Sequence, residues 1–286
     1  GKNVKRFEEK WSKWLGVKYS TFVNSGASAN FLSLKILKEL KKKRNEVILP
    51  AFTWSSDVNA VINSGFKPVF VDINLTNLAL DEELVKKNIS KKTAAIFLTH
   101  AMGFLGISKS LLDYIKKRNI LLIEDVCESH GIHLNGKKGG SLGEISNFSF
   151  YYAHHITTIE GGMISTNSKE IDILAKMKRG HGLLRDSQDS KLIKKTKSMY
   201  KDLNSDFIFL TEGFNFRSNE LSAVIGLEQI KRLNRNIKIR NVNHKLFLKN
   251  LRKDVFISDF NLSGSSNYGL HLIMKEKNKT MFKKVI

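Results

Sequence analysis

The sequence predicts an α/β fold in which helices cover a mostly parallel sheet. Helix-like and strand-like segments alternate along most of the 286 residues, which is typical of this class. The predicted strands are short, continuous apolar runs, as expected when both faces of a sheet are buried. The hydrophobic fraction of 41% supports a sizeable core, and the length suffices for one large domain and part of a second.

The individual elements follow from the spacing of apolar residues and from the turn residues between them. The predicted strands are 20–23, 47–49, 68–71, 94–98, 120–123, 147–150 and 162–165. The predicted helices are 4–15, 27–40, 55–64, 81–88, 108–118, 169–179 and 218–233. Pro50 and Pro68 both flank predicted strands, where proline is tolerated.

The pattern changes after Arg235. Residues 236–252 resemble one long basic helix, and residues 269–274 resemble a strand. We therefore expect a large domain at 1–234 and the start of a smaller α+β domain at 235–286. The chain ends soon after that domain begins and starts abruptly with an amphipathic helix, so we expect both ends to be incomplete.

The formal net charge of +21 admits two interpretations. One is nucleic-acid binding; the other is a lysine-rich but solvated surface. The lysines are spread along the whole chain and are not interleaved with aromatic residues in a stacking pattern, which favours the second interpretation. A basic surface would also attract an anionic sugar nucleotide or a phosphate-bearing cofactor.

Several features predict a cytoplasmic protein that does not bind a membrane. No apolar run reaches the roughly 18 residues that a membrane helix needs. The N-terminus is charged and lacks the apolar segment of a signal peptide. The single cysteine, Cys127, excludes a disulfide framework and does not suffice for a four-cysteine iron–sulfur cluster.

A candidate phosphate site lies at 24–29, between a predicted strand and a predicted helix. Gly26 permits a tight turn there, and the amides that follow it point outward at a helix N-terminus. Such amides bind phosphate groups. The alternative is an ordinary strand-to-helix turn without a ligand.

Polar and aromatic residues follow two other predicted strands, where α/β sheets bind their ligands. Asp125 is a candidate partner for a protonated pyridine nitrogen, with a helix N-cap as the alternative. Glu128 is a candidate partner for a phenolic oxygen, or else a solvated helix residue. We expect His130 to support the site from behind or to lie in the core, and not to be catalytic. Trp54 is a candidate to stack on a flat cofactor, although a lone tryptophan is more often a core residue.

Two further segments carry candidate functional residues. Arg217, in the run 213–220, is a candidate to bind an anion across a subunit boundary, and a solvated helix start capped by Ser218 or Asn219 is the alternative. The adjacent His154 and His155 precede Glu-Gly-Gly at 160–162. Imidazole can carry protons near neutral pH. A metal site is disfavoured, because neighbours in an extended segment point to opposite faces.

Together these motifs resemble the DegT-type sugar aminotransferases, which are pyridoxal-phosphate (PLP) enzymes of fold type I that act on nucleotide-linked keto sugars. The resemblance runs from about Phe7 to Leu233. The motifs that carry it are Asn-Ser-Gly-Ala-Ser (24–28), Pro-Ala-Phe-Thr-Trp (50–54), Lys-Pro-Val-Phe-Val-Asp-Ile (67–73), Glu-Asp-Val-Cys-Glu-Ser-His-Gly (124–131), Ser-Phe-Tyr (149–151), Glu-Gly-Gly (160–162) and Gly-Phe-Asn-Phe-Arg-Ser-Asn-Glu-Leu (213–221).

The resemblance implies an aspartate-aminotransferase-like fold, a cofactor-binding domain at 1–234 and a homodimer. It implies that backbone groups of Gly26, Ala27 and Ser28 and the hydroxyl of Ser149 hold the cofactor phosphate. It assigns Trp54 to ring stacking, Asp125 to the pyridine nitrogen and Glu128 to the phenolic oxygen. Asn215 and Arg217 would complete the site of the neighbouring subunit.

His154 stands where aminotransferases of this family have the lysine that anchors PLP covalently. The run Ala-His-His-Ile-Thr at 153–157 resembles the family's sugar 3-dehydratases. One branch of these enzymes adds an iron–sulfur cluster through four cysteines, which this chain lacks, so the resemblance is to the cluster-free branch. His154 would then be the catalytic base and His155 its support.

That branch implies a function. The cofactor would be pyridoxamine phosphate (PMP), held noncovalently and regenerated from PLP by L-glutamate. The reaction would remove the C3 hydroxyl of a nucleotide-linked 4-keto-6-deoxyhexose, with GDP-4-keto-6-deoxymannose as the expected substrate. The product would serve 3,6-dideoxyhexose synthesis for cell-surface glycans such as O-antigen, colitose being the example. Alternatives are a family member with another PMP-dependent or a noncatalytic role and, more remotely, a nucleic-acid-binding protein.

Overall fold

A computed structural model describes residues 1–276 of the chain. Its centre is a seven-stranded sheet with the order β1-β7-β6-β5-β4-β2-β3. The strands are β1 (Tyr19–Val23), β2 (Glu46–Pro50), β3 (Lys67–Val71), β4 (Thr93–Thr99), β5 (Leu121–Asp125), β6 (Ile145–Ser149) and β7 (Gly162–Thr166). β7 pairs antiparallel with β1 and β6, and the other pairs are parallel. The predicted mostly parallel sheet is therefore confirmed.

Helices connect these strands and cover both faces of the sheet. The α-helices of the described residues are α1 (Lys2–Leu15), α2 (Gly26–Leu40), α3 (Ser55–Asn63), α4 (Glu82–Asn88), α5 (Lys109–Lys117), α6 (Lys169–Arg179), α7 (Ser190–Met199), α8 (Glu220–Gln229) and α9 (Leu233–Asn250). One apolar cluster joins α2, α3 and α6 to one face. A second cluster joins α4 and α5 to the opposite face. A third joins α1 and α8 to that same face.

The topology brings the ends of several strands to one edge of the sheet. β2, β4, β5 and β6 run parallel and end at Pro50, Thr99, Asp125 and Ser149. β1 runs in the same direction, because both it and β6 are antiparallel to β7. The start of α2 therefore lies at this carboxyl edge, where α/β sheets bind ligands.

Every strand of the main sheet was predicted from the sequence, whereas helix α7 was not. That helix is lysine-rich and little buried, so its apolar pattern is weak; its start is capped by Asp189, which accepts from the Leu192 amide at 2.7 Å. The predicted helices 218–233 and 236–252 correspond to α8 and α9, which are joined by one short 3₁₀ turn. Asn219 caps α8, as one alternative expected.

The predicted strand at 269–274 is wrong. The segment makes a single isolated bridge, from Met274 to Phe256. Its apolar character has another cause: His271 and Ile273 pack with Phe104 and Phe260 in a cluster beneath α9. The division at residue 235 stays a prediction, and residues 277–286 of the expected second domain lie outside the described residues.

Trp11 of α1 should be a main determinant of stability. Its fully buried ring lies between Phe148 and Phe150, with ring centroids 4.9 and 4.8 Å away. We expect Trp11→Ala to lower the free energy of unfolding by about 3–5 kcal/mol, because it leaves a large cavity. Urea unfolding measures this change. Trp54→Ala is the matched control: Trp54 is 69% exposed, so an equal loss there would contradict the assignment.

Candidate active site

The N-terminus of α2 lies directly against the end of β6. A Cβ atom on Gly26 would come within 2.6 Å of the Ser149 Cβ and 3.1 Å of the Cys127 sulfur, so only glycine allows this approach. Ser25 caps the helix and accepts from the Ser28 amide at 3.0 Å. The Ser28 amide is therefore already engaged, whereas the Ser28 hydroxyl accepts from the Ser25 hydroxyl at 2.9 Å and keeps its own hydrogen for another partner.

Asp125 ends β5 and is 4% exposed. Its two carboxylate oxygens accept from the Cys127 amide at 2.8 Å and from the Asn30 side-chain amide at 2.9 Å. The first contact closes a turn and not a helix, so the helix N-cap alternative for Asp125 is wrong. These neutral donors hold the carboxylate in one orientation at the carboxyl edge.

Two other predicted residues lie at the same edge. Trp54 precedes α3 and is largely exposed, which rules out the alternative of a core tryptophan. Glu128 lies in a turn after β5 and accepts from the Met102 amide at 2.9 Å. Burial raises the pKa of Glu128, while that amide opposes the shift. It is a partly buried acid and not a solvated helix residue.

The two histidines lie in the loop between β6 and β7. The His154 amide donates to the Tyr151 carbonyl at 3.1 Å, so the segment is a turn and not extended. Both histidine rings consequently face His130, with centroids 6.2 and 5.2 Å away; the expectation that they point to opposite faces is wrong. His130 is fully buried among the rings of Trp11, Phe148 and Phe150, which confirms its place in the core.

Their surroundings keep both imidazoles neutral. Burial lowers the pKa of His154 to about 4, although the charge of Asp125 opposes the shift. Burial lowers the pKa of His155 to about 3, and Arg240 adds to the effect. His155 Nε2 lies 3.2 Å from the Ser266 hydroxyl. Near pH 7, His154 is thus a free base able to accept a proton.

The sequence did not predict that a C-terminal segment covers the histidine loop. The Tyr268 ring lies 5.3 Å from that of His154. The Tyr268 carbonyl accepts from Arg240 of α9 at 2.5 Å, and the Ser266 amide donates to the Gly103 carbonyl at 2.8 Å. No motif marks these residues; only the structure shows that they reach the site.

The loop at 213–217 lies beside the end of β1. The Asn24 amide donates to the Phe216 carbonyl at 2.9 Å, and Arg217 bridges to Val23. Asn215 and Arg217 are exposed, and the Arg217 guanidinium lies 3.8 Å from Asp186. Within one chain, the contacts place this loop beside the start of α2 and do not join Arg217 to Asp125 or His154.

Solved structures with this fold are PLP enzymes of fold type I, so the chain has the aspartate-aminotransferase-like fold that the sequence predicted. The chain belongs to the DegT/DnrJ/EryC1/StrS aminotransferase family, whose model matches residues 1–285.

One relative and two solved structures that are similar to this chain are named as 3-dehydratases. The chain is 33% identical, over its whole length and 75% of the relative, to a GDP-4-keto-6-deoxy-D-mannose 3-dehydratase of Escherichia coli O55:H7. It superimposes with a TM-score of 0.91 on the E. coli enzyme of that name with bound hydrated PLP, at 32% identity, covering 100% of this chain and 74% of that one. A GDP-4-keto-6-deoxymannose-3-dehydratase with a trapped PLP–glutamate geminal diamine gives a TM-score of 0.86 at 31% identity, covering 98% and 73%.

One further observation concerns membranes. Among the residues that the structure describes, no helix combines the length and the apolar character needed to cross a bilayer.

Proposed function

We propose that this protein is a PMP-dependent sugar 3-dehydratase that removes the C3 hydroxyl of GDP-4-keto-6-deoxymannose. The observation that carries the proposal is a neutral histidine, His154, in the loop where aminotransferases of the family have their lysine. The similarity to the 3-dehydratases named above supports the same assignment.

The residues at the carboxyl edge fit such a cofactor. The close approach that Gly26 allows brings the N-terminus of α2 beside the Ser149 hydroxyl, and helix amides together with a hydroxyl group fit a phosphate. We assign the phosphate to the amides of Gly26 and Ala27 and the hydroxyls of Ser28 and Ser149. When bound, PMP would supply an amine and an aromatic ring that stabilises negative charge developing next to it while electrons pass to the sugar.

The other side chains orient that ring. Asp125 would hold the proton of the pyridine nitrogen, since it is a buried carboxylate fixed by neutral donors. Trp54 would cover one face of the ring, and Glu128 would face its phenolic oxygen.

His154 is the candidate base. Burial lowers its pKa to about 4, so the imidazole is neutral near pH 7 and would be able to accept a proton at C4′ of a bound cofactor and to donate one to the departing C3 oxygen. His155, buried and hydrogen-bonded to Ser266, would support the loop. The site would release a 3-deoxy sugar and ammonia, and L-glutamate would restore PMP.

The proposal includes a homodimer and a cytoplasmic location. Large exposed apolar side chains surround the carboxyl edge, including Trp54, Tyr152 and Leu221, each at least 69% exposed. A second copy covering them would bring its exposed Asn215 and Arg217 toward the neighbouring site. Sedimentation of the purified chain distinguishes the dimer from a monomer.

Glutamate-dependent conversion of PLP to PMP tests the proposal. We expect PLP added to the full chain to resist borohydride fixation to the protein, and L-glutamate to convert it to PMP with release of 2-oxoglutarate. A noncatalytic relative of the family would not perform this half-reaction. Covalent trapping of PLP on a lysine of the wild-type chain would contradict the proposal. Salt-sensitive retention of DNA or RNA would instead support the nucleic-acid alternative.

A further inference from the structure

A second buried acid, Asp57, lies behind Asp125. It occupies the first turn of α3 and is completely buried. The side-chain amide of Asn30 donates to Asp57 at 2.7 Å and to Asp125 at 2.9 Å, so one NH₂ group bridges the two carboxyl groups. Asn30 is itself only 1% exposed. The two acids thus share a donor at a place from which water is largely excluded.

The hydrogen bonds of Asp57 indicate that its carboxyl group is protonated. Its Oδ2 lies 2.5 Å from the Thr53 hydroxyl and 2.8 Å from the Thr99 hydroxyl, and those hydroxyls lie 2.7 Å apart. Three oxygen–oxygen hydrogen bonds need three hydrogens, but two hydroxyls supply only two. The missing hydrogen is accounted for if Asp57 is a neutral carboxylic acid that completes the triangle.

Electrostatics supports the same protonation state. The hydrogen-bond partners of Asp57 are neutral side chains, and two carboxylates bridged by one amide repel each other. Burial first, and then the charge of Asp125, raise the pKa of Asp57 well above its usual range. Three further titratable groups face the pair: Cys127 interacts with both acids, and Glu128 and His154 interact with Asp125. Burial raises the pKa of the Cys127 thiol and lowers that of His154, so both of these groups are uncharged near pH 7.

We propose that Asp57 is a proton-holding positioning residue: its neutral carboxyl group fixes Asn30 and so keeps Asp125 as the single carboxylate that faces the cofactor's ring nitrogen. Ionisation of Asp57 would place two anions on one NH₂ group. The identity of the group facing Asp125 rests on the proposed function, whereas the coupling between the two acids does not.

The coupling has a consequence for stability. In the unfolded chain an aspartic acid loses its proton above about pH 3.9. If its pKa is raised in the folded protein, the folded state keeps that proton to a higher pH. The contribution of this acid to stability is therefore complete below about pH 3.9 and is lost as the pH rises through the folded pKa. Asp57→Asn removes this loss, because the amide is neutral at every pH and still has a donor for the hydroxyl triangle.

The test is the thermal unfolding of the full chain without PLP between pH 5 and 9. At each pH the unfolding midpoint of wild type is subtracted from that of Asp57→Asn. We expect this difference to increase by at least about 2 °C from pH 5 to pH 9. The rise should be smaller in an Asp125→Asn background, since the neighbouring charge is then absent. The matched control is Asp172→Asn, at a buried carboxylate paired with Lys176 at 2.7 Å, which should show no such rise.

Two outcomes would overturn the inference. A flat difference between Asp57→Asn and wild type would mean that Asp57 holds no extra proton. An equal rise with and without Asp125 would mean that the acids are uncoupled and that Asp57 is merely a buried polar residue. If Asp57→Asn does not fold, Asp57→Ser, which keeps a hydroxyl donor, is measured in the same way. Repeating the series with PLP separates the two proposals: absence of PLP binding contradicts the proposed function but leaves the coupling standing.

Discussion

Replacing His154 by lysine should abolish dehydration and create a covalent PLP site. The lysine amine would react with the PLP aldehyde, and borohydride would then fix the cofactor to residue 154. The imidazole that moves protons would be lost, and general acid–base groups contribute about 10²–10⁴-fold to rates. We therefore expect at least a 100-fold fall in turnover of GDP-4-keto-6-deoxymannose, together with a PLP adduct detected by peptide mass spectrometry.

Two control variants separate the parts of this prediction. His154→Gln should also lose turnover but should not trap PLP, because an amide neither accepts the proton nor attacks an aldehyde. His133→Lys adds a lysine at an exposed histidine in a short ribbon outside the histidine loop and should change neither property. Wild-type turnover in the His154→Lys variant would contradict the role assigned to His154.

Replacing Asp125 by asparagine should have the second-largest effect. The amide has the same shape but no charge, so it does not stabilise a protonated pyridine nitrogen. We expect turnover to fall by about 10²–10³-fold, the range seen when one preorganised electrostatic partner is removed. Turnover and PLP affinity are measured together with the unfolding midpoint, which shows whether the variant is folded.

The control for Asp125→Asn is again Asp172→Asn. Asp172 of α6 is as deeply buried as Asp125, but it pairs with Lys176 and Thr21 away from the carboxyl edge. The Asp172→Asn variant should be less stable than wild type but should keep the wild-type turnover per folded molecule. If Asp125→Asn keeps turnover within about threefold of wild type, Asp125 is not the partner of the ring nitrogen.

The parts of the site that local motifs encode were predictable from the sequence. Gly26 and Asp125 each follow a short apolar strand, and parallel strands bring such positions to one edge whatever the details of packing. The exposure of Trp54 and the turn geometry of His154 were not predictable, because they depend on how the chain leaves its strand.

The contacts missed by sequence reasoning are those between distant segments. Asp57 looks like an ordinary acid in the first turn of a helix, and only its shared bond with Asn30 reveals its relation to Asp125. Tyr268 directly precedes the segment 269–274, whose apolar residues suggested a strand although they pack beneath α9. Such pairings across the chain leave no periodic signal in one sequence.

The central claim is tested most directly by following two groups: the C3 hydroxyl of the sugar and the amine nitrogen that PMP brings to C4. The full chain, loaded with PMP, is given GDP-4-keto-6-deoxymannose in a single turnover without glutamate. The assignment of His154 as the proton carrier of a 3-dehydratase predicts a 3-deoxy sugar nucleotide and one equivalent of free ammonia, with PLP left behind. A 4-amino sugar that retains its C3 hydroxyl would show an aminotransferase and would contradict the account.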